Sequence, residues 1–244
     1  MRALVLAAGI GSRLHRYTDE RPKPMLEIGG EPILGYNLAM LAAAGFDEIV
    51  VNLHYLAAVI RAYVGDGSRW GVRVTYSEEP ELRGTAGALI PFVERFAADA
   101  FGIVYGDNLN EIDLAEMVRD HRERRALATI AVYEREYVAQ SGVAELDADD
   151  RIVRFVEKPA PGETASHWIS TGVVIADPLV LDAIPREGSS DLGRDIFPRL
   201  LDDPRGVYAY RMTGGHWWFD RVEEYEAART DAKLAAFLNR GRPP

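Results

Sequence analysis

Short apolar runs alternate, along the first half of the chain, with stretches whose apolar residues recur at helical spacing. Arg2–Leu6, Glu48–Leu53 and Phe101–Tyr105 are runs of five or six residues, and Pro32–Ala44 carries leucines at helical spacing before Gly45. Such alternation is typical of parallel strands, because parallel neighbours need a helical crossover between them. We therefore predict an α/β fold, a Rossmann-like and mostly parallel sheet flanked by helices. The same patterns predict helices over Tyr55–Val64, Ala86–Phe96 and Asp113–Arg124, and strands over Gly71–Tyr76 and Ala126–Tyr133.

The second half of the chain has a different pattern. Gly142–Leu146 and Arg151–Glu157 flank a short polar segment, which predicts an antiparallel pair joined by a turn. The remaining predicted elements are strands over Ser170–Ala176 and Val207–Arg211, short helices over Leu179–Ile184 and Leu192–Leu201, and a closing helix over Val222–Leu238. Since no linker rich in Pro, Gly or Ser separates the parts, we predict one domain over 1–244, with a core over 1–133, an inserted lobe over 134–220 and the closing helix over 221–238.

Composition excludes several classes of function. The chain has 244 residues, of which 48% are hydrophobic, so it can bury a sizeable core. It contains no apolar run near the ~20 residues that span a bilayer. The absence of cysteine excludes thiolate chemistry and disulfides, and a net charge of −10 argues against nucleic-acid binding, which needs a basic face. We expect a cytoplasmic protein, monomeric or homodimeric, with no nucleic-acid or membrane partner.

The loop that follows the first predicted strand carries the strongest chemical signal. It reads LAAGIGSRLHRYTDERPKP over residues 6–24. Gly9 and Gly11 let the backbone approach a ligand, and Arg13 and Lys23 add positive charge. Ligands of open α/β sheets bind at the carboxyl ends of strands, so a polyphosphate is the predicted ligand. The loop lacks the third glycine of a dinucleotide fingerprint and the Gly-Lys-Ser/Thr of a Walker loop.

Lysine is rare in this chain, and its positions are informative. Of 28 basic residues only three are lysine, and Lys23 and Lys158 each stand directly before a proline. Lysine carries a compact point charge, whereas the arginine guanidinium is planar and wider. Lysine at these two positions therefore indicates narrow anion-binding sites, and the alternative is that both positions are lysine by chance.

The loop resembles the signature of sugar-1-phosphate nucleotidyltransferases. Within that family, the sequence looks most like the mannose- or heptose-1-phosphate guanylyltransferases. Further motifs of that family follow in order along nearly the whole chain: GDGSRWG (65–71), GTAGAL (84–89), GDN (106–108), GVAE (142–145), EKP (157–159), STGVVI (170–175) and WFD…EEY (218–225). The resemblance implies a GT-A-like nucleotidyltransferase fold, in which 1–133 is the nucleotide-binding core and 134–220 is a smaller inserted lobe that binds the sugar phosphate. It also implies transfer of a nucleoside monophosphate from a nucleoside triphosphate to a sugar 1-phosphate, with release of pyrophosphate.

The resemblance implies a role for each matching residue. Arg13 would draw charge onto the leaving pyrophosphate, Lys23 would bridge to the α-phosphate, and Asp107 and Asp220 would bind the cofactor Mg²⁺. The nucleotide would contact Leu6, Ala7, Ala8, Gly9, Gly11, Ser12, Arg13, Lys23, Gly84 and Thr85. The sugar phosphate would contact Asn108, Gly142, Glu157, Lys158, Thr171 and Gly172. Structural alternatives exist for some of them, such as an Asx turn at Asp107 and an exposed ion pair at Glu157 and Lys158.

The sequence departs from the family pattern at two places. Arg16 stands where a proline is usual, and the segment from Asp220 to Tyr225 is two residues shorter than the common D-I-G-T-P-E-x-Y ending. The loop after Asp220 must therefore differ. Three tryptophans, Trp168, Trp217 and Trp218, either form an acceptor-side wall or pack in the interior. We expect no left-handed β-helix of the kind that longer relatives append.

The resemblance favours GTP as the donor, with mannose, another hexose or heptose 1-phosphate as acceptor, because GTAGAL after SEEPELR is more similar to the guanylyltransferases than to the thymidylyltransferases. Four alternatives stay open. They are thymidylyl or uridylyl transfer to a hexose 1-phosphate, CMP transfer to a phosphate such as phosphocholine, a regulatory subunit that binds a nucleotide sugar, and a dehydrogenase. CMP transfer to a non-sugar phosphate would not need the predicted sugar contacts Glu157, Gly142 and Thr171 to the same extent. The third usually loses the basic residues of the loop, and the fourth lacks a clearly placed acid ~20 residues after the glycines.

Overall fold

The computed structural model describes residues 1–240 and Pro243. In chain order its strands are β1 (Arg2–Leu6), β2 (Glu27–Ile28), β3 (Glu31–Pro32), β4 (Glu48–Leu53), β5 (Arg73–Glu78), β6 (Phe101–Tyr105), β7 (Asn108–Asn110), β8 (Ala128–Glu134), β9 (Gly142–Leu146), β10 (Ile152–Glu157), β11 (Trp168–Ala176), β12 (Val207–Arg211) and β13 (His216–Trp218). Its α-helices are α1 (Ile33–Ala43), α2 (Ala57–Val64), α3 (Gly84–Gly87), α4 (Val93–Phe96), α5 (Leu114–Arg124), α6 (Phe197–Leu200), α7 (Val222–Ala228) and α8 (Ala232–Arg240). Tighter 3₁₀ turns cover Ser12–Tyr17, Lys23–Met25, Ser68–Trp70, Ile90–Phe92 and Pro178–Ala183, and one π-helical turn covers Leu192–Ile196.

The chain divides into two compact units, each assembled from separate segments. The first unit comprises Met1–Leu82, Val104–Leu114 and Gly214–Pro244, and the second comprises Arg83–Ile103 and Ala115–Thr213. The predicted organisation into a core, an inserted lobe and a closing helix stays a prediction.

The first unit contains parallel strands of the predicted kind. β1 pairs with β4, and β4 pairs with β5, both in parallel register. The leucines of α1 that the spacing places on one face are fully buried. The Gly106 N–H donates to the Leu6 carbonyl at 2.9 Å, so the segment after β6 lies beside the end of β1. Because parallel strands end at the same edge, the loop after β1 and the segment after β6 start from neighbouring positions.

The second unit is mixed in strand direction. β9 and β10 form the predicted antiparallel pair, with Glu157 opposite Gly142. Their turn closes through the Asp147 carboxylate, whose Oδ1 accepts the N–H groups of Asp149 and Arg151 at 2.9 Å each. β11 runs antiparallel to both β8 and β9, and β12 runs parallel to β8.

The predicted α/β class, with a mostly parallel sheet flanked by helices, is confirmed. Two predicted helices are wrong as continuous elements. The closing helix is broken between α7 and α8, because Asp231 Oδ1 accepts the Leu234 N–H at 2.9 Å and caps α8. The helix expected over 86–96 is divided into short turns around Pro91, which cannot supply a helical N–H. None of the helices in the described part of the chain has the length and apolar character needed to cross a membrane.

Candidate active site

Three charged side chains from distant parts of the sequence meet in the first unit. The Lys23 Nζ donates to Asp107 Oδ2 at 2.6 Å and to Asp220 Oδ1 at 2.5 Å. The lysine side chain is 7% exposed, whereas the two carboxylates are 28% and 29% exposed. The family resemblance implies that these residues share a site, and the fold brings them together around one ammonium.

The conformation of the loop explains how Lys23 reaches this position. Lys23 begins a 3₁₀ turn after Pro22, which is extended at φ −66° and ψ 152°. Gly11 passes close to the lysine stem, and a Cβ on Gly11 would lie 3.1 Å from the Lys23 Cβ. Gly11 also has a φ of +67°, which favours glycine. Rigid prolines and a close glycine therefore hold the lysine stem in place.

Strand pairing explains why Asp107 and Asp220 are close. β13 pairs with β7 in antiparallel register, with Trp218 opposite Asn108. Asp220 follows Trp218 by two positions, and Asp107 directly precedes Asn108, so both carboxylates fall at the same end of the pair. This two-stranded pairing closes a site between segments that are more than a hundred residues apart.

The shortened segment after Asp220 is held by a single carboxylate. Glu224 Oε2 accepts the N–H groups of Asp220 and Arg221, at 3.0 Å each. The departure from the usual Gly-Thr-Pro turn is thus accommodated by the Glu224 side chain, which turns back to accept N–H groups at the start of α7. Glu224 lies in the motif WFD…EEY, but no role was predicted for it.

Arg13 joins the same group of charges. Its Nη2 lies 3.2 Å from Asp220 Oδ2, and its side chain is 55% exposed. Arg16, which replaces the usual proline, instead pairs with Glu226 of α7 at 3.0 Å, and Tyr17 donates to the same carboxylate at 2.8 Å. The loop is therefore anchored on α7 by Arg16 and Tyr17, while Arg13 contacts Asp220.

Electrostatics keep Lys23 charged. Burial disfavours the ammonium, but Asp107 and Asp220 outweigh that effect and raise the pKa of Lys23 above its usual value. The amine is therefore fully protonated near neutral pH. A protonated amine in this position neutralises negative charge and cannot act as a base.

A buried polar pair that the sequence reasoning missed supports the start of the loop. Asn52 Oδ1 accepts the Ala7 N–H at 2.6 Å, and Asn52 Nδ2 donates to Glu79 Oε1 at 2.9 Å. Both side chains are buried. The available signal was an asparagine near the end of the apolar run EIVVNL, where a polar side chain needs a buried partner.

Glu157 lies in a space that two glycines leave open in the second unit. A Cβ on Gly142 would lie 2.8 Å from Glu157 Oε2, and a Cβ on Gly193 would lie 2.5 Å from the same oxygen. Burial and the nearby Asp191 raise the pKa of Glu157, against the opposing effect of Lys158 and Arg194. The sequence predicted Glu157 and Gly142 but missed Gly193, which stands in no recognised motif.

Lys158 adopts a left-handed backbone, with φ +53°, directly after β10. Its ammonium is 3.9 Å from Glu157 Oε1, and its side chain is 57% exposed. The Lys158 N–H donates to the Ser141 carbonyl at 3.0 Å, which holds the turn. The left-handed backbone at Lys158 thus places an exposed ammonium beside a half-buried carboxylate.

The other predicted residues of the second unit have internal partners. Thr171 is fully buried, and its hydroxyl donates to the Ala131 carbonyl at 3.2 Å. Thr85 donates to Asp191 Oδ2 at 2.8 Å and accepts the Leu192 N–H at 2.8 Å. Gly84 and Gly172 both have positive φ. These contacts are structural, and none of them tests the predicted substrate contacts.

Among the predicted residues of the first unit, Gly9 and Trp217 have clear surroundings. A Cβ on Gly9 would meet no atom within 4 Å, so the loop is open at that position. Trp217 stacks on Phe237 at 5.4 Å and donates to Asp231 at 3.3 Å. Packing therefore accounts for Trp217. Leu6, Ala8, Ser12 and Asn108 also belong to this unit.

The carboxylate pair is suited to a magnesium ion in chemical type. One oxygen of Asp107 and one of Asp220 converge on a single cationic atom, and Mg²⁺ prefers such hard oxygen ligands. Within residues 1–240 and Pro243, no group of three or more His, Cys, Asp or Glu side chains gathers to hold a metal. A metal at this pair needs further ligands from bound substrate or water.

Known proteins resemble this chain over most of its length. It is 40% identical over 225 residues to UTP–glucose-1-phosphate uridylyltransferase of Synechocystis, covering 87% of this chain and 58% of that protein. It is 32% identical over 233 residues to mannose-1-phosphate guanylyltransferase of Mycobacterium tuberculosis, covering 95% and 64%. The chain thus spans less than two thirds of the length of these relatives.

The fold also matches solved structures. A Bacillus anthracis structure named for glucose-1-phosphate thymidylyltransferase and solved with sucrose has a TM-score of 0.86 and 23% identity, over 96% of this chain and 95% of that one. At that identity the likeness concerns the fold. The family model described as nucleotidyl transferase matches residues 2–221, and the chain therefore belongs to the nucleotidyl transferase family.

Proposed function

We propose that this protein transfers a nucleoside monophosphate from a nucleoside triphosphate to a sugar 1-phosphate and releases pyrophosphate. The observation that carries the proposal is the meeting of Lys23, Asp107 and Asp220, with Arg13 on the same carboxylate, in a member of this family. Relatives named for this reaction support the acceptor class.

The reaction needs positioning and charge neutralisation more than covalent help. An oxygen of the sugar phosphate forms a bond to the α-phosphorus, and the bond from that phosphorus to the pyrophosphate oxygen breaks. The Lys23 ammonium neutralises charge at the α-phosphate. Arg13, which is more exposed, neutralises the charge that grows on the leaving pyrophosphate. Gly9 and Gly11 allow the backbone to approach the phosphates.

Asp107 and Asp220 are the residues that would hold a divalent ion. When bound, Mg²⁺ would supply neutralisation of phosphate charge and would align the phosphate oxygens. Without a metal, the two carboxylates hold Lys23 as its hydrogen-bond acceptors. Asp220 in turn is held by the Glu224 contact with its N–H.

Glu157 and Lys158 are proposed to bind the sugar phosphate. The Glu157 carboxylate would accept hydrogen bonds from sugar hydroxyls, and the missing side chains of Gly142 and Gly193 leave room for that carboxylate beside the backbone. Lys158 is exposed and faces solvent, which suits an anion that enters from outside. Thr171, Gly172 and Asn108 remain predicted contacts, as do Gly84 and Thr85 for the nucleotide.

The relatives are named for uracil, guanine and thymine nucleotides, so the preference for GTP stays a prediction. The deciding experiment is a pyrophosphate-release assay with ATP, GTP, CTP, UTP and dTTP, each with glucose, mannose and heptose 1-phosphates and with Mg²⁺. Phosphocholine with CTP belongs in the same panel. We expect one nucleotide and sugar pair to exceed the others, and Lys23→Ala to abolish release.

A failure of all pairs would contradict the proposal. If a nucleotide sugar then stabilised the protein against heat without turnover, the regulatory-subunit alternative would replace it. Release with phosphocholine alone would favour the CMP-transfer alternative. Asn239→Ala, an exposed change on α8, is the control for handling and folding.

A further inference from the structure

We propose that the Lys23 ammonium is an internal counterion that occupies the Asp107–Asp220 carboxylate pair and excludes a divalent cation from it while no nucleotide is bound. The proposal rests on the proposed function only in taking a nucleoside triphosphate as the ligand that releases the lysine. It concerns the state of this chain before substrate arrives.

The geometry makes the ammonium and a metal mutually exclusive. Nζ is 2.6 Å from one oxygen of Asp107 and 2.5 Å from one oxygen of Asp220. A magnesium ion bonded to the same oxygens would stand about 2.0–2.1 Å from each, which is nearly the position of Nζ. The two cations cannot share that position, so a metal must displace the lysine or remain outside.

The charges around the pair are already balanced. Asp107 and Asp220 carry two negative charges, and Lys23 and Arg13 carry two positive charges. A divalent cation that enters this group of four side chains is therefore attracted less strongly than it would be by two carboxylates without cationic partners. Removing the charge of Lys23 leaves the group negative, which favours the metal.

The protein alone also supplies few ligands. In the described part of the chain, no third His, Cys, Asp or Glu completes the pair into a metal-binding group. Magnesium sites of this type use one or two carboxylates together with substrate phosphates. Both the charge balance and the ligand count thus predict weak binding of a metal in the absence of nucleotide.

Burial makes the exchange of partners concerted. Lys23 is 6% exposed, and an ammonium at such a position is costly without a partner. The lysine therefore leaves the carboxylates only when another anion replaces them, and a phosphate oxygen is suited to that role. The consequence is that the metal enters together with the triphosphate.

The test is binding of Mn²⁺ to the free protein, measured by calorimetry and by the loss of the free-ion paramagnetic resonance signal. The variants are wild type, Lys23→Met and Lys233→Met, which removes an equal charge from an exposed position on α8. We expect Lys23→Met to bind Mn²⁺ on the order of ten- to a hundredfold more tightly than the other two. Adding Asp220→Asn to Lys23→Met should abolish that gain.

Equal or weaker binding of Mn²⁺ by Lys23→Met would overturn the proposal. So would a gain that survives Asp220→Asn, because the ion would then lie elsewhere. If Lys23→Met does not fold, Lys23→Gln carries the same expectation, since it keeps a donor and loses the charge. Because no nucleotide or sugar is present, these results are independent of the pyrophosphate-release assay, which alone decides the proposed function.

Discussion

Replacing Asn52 with leucine is expected to destabilise the first unit by an amount that the contacts allow us to estimate. The change removes the acceptor of the Ala7 N–H, at 2.6 Å, and a donor to Glu79, at 2.9 Å, in a fully buried setting. A buried N–H without an acceptor costs about 1–3 kcal/mol, and losing a hydrogen bond to a carboxylate costs about 1.5–3 kcal/mol. Leucine returns about 1 kcal/mol through its larger apolar surface. The expected loss in the free energy of unfolding is therefore about 1.5–5 kcal/mol.

Urea denaturation followed by circular dichroism measures this loss. Glu79→Gln keeps an acceptor for Asn52 and should cost about 1 kcal/mol or less. Asn239→Leu changes an exposed asparagine on α8 and should stay within about 0.5 kcal/mol of wild type. A loss below about 1 kcal/mol for Asn52→Leu would refute the reasoning. Water or a rearranged backbone would then have replaced the two lost hydrogen bonds.

Four further changes test the candidate site. Arg13→Ala should lower kcat by about 10²–10³ and change KM far less, in steady-state pyrophosphate release, because its charge acts on the leaving group; an unchanged kcat would contradict that role. Lys158→Arg should reduce turnover with the sugar 1-phosphate while calorimetry finds unchanged binding of the triphosphate, since the wider guanidinium displaces the acceptor; full activity would identify Lys158 as a solvated charge. Gly193→Ala should raise the KM for the sugar 1-phosphate and leave that for the triphosphate unchanged, because the new Cβ would lie 2.5 Å from Glu157 Oε2. Glu157→Gln should stabilise the protein near neutral pH. Folding raises the pKa of Glu157, so the ionised carboxylate destabilises the folded protein above the folded-state pKa. That destabilisation decreases as the pH falls and is absent below the usual glutamate pKa, where the carboxyl is protonated in both states. Thermal unfolding across that pH range checks it, and a pH-independent effect would show that the carboxyl does not titrate as inferred.

Much of the site could be predicted because its chemistry lies in local sequence. The glycines and basic residues of the first loop follow directly after a recognisable strand, and GDN follows another. A strand end is also where an α/β sheet presents ligand-binding groups, so position and chemistry agree. The family motifs extended this to Asp220, whose own local pattern predicts little.

Other parts depend on tertiary contacts that leave no periodic pattern. The pairing of β7 with β13 brings Asp107 to Asp220, but each strand has only three residues, too few for an alternation to be seen. The break between α7 and α8 follows from a capping aspartate in a stretch of otherwise helical spacing. Asn52 lies in a predicted strand, but its hydrogen bond with the Ala7 N–H depends on the register of β1 against β4.

Helix α7 holds both the segment that carries Asp220 and the loop that carries Arg13. Through Glu224 it fixes the backbone of Asp220, and through Glu226 it holds Arg16 and Tyr17 of the loop that carries Arg13. A displacement of this seven-residue helix consequently moves a carboxylate and the arginine loop in step. The lengths of the segments before and after α7 therefore affect the separation of Asp220 from Arg13. A one-residue insertion in either segment would change the Glu224 and Glu226 contacts together.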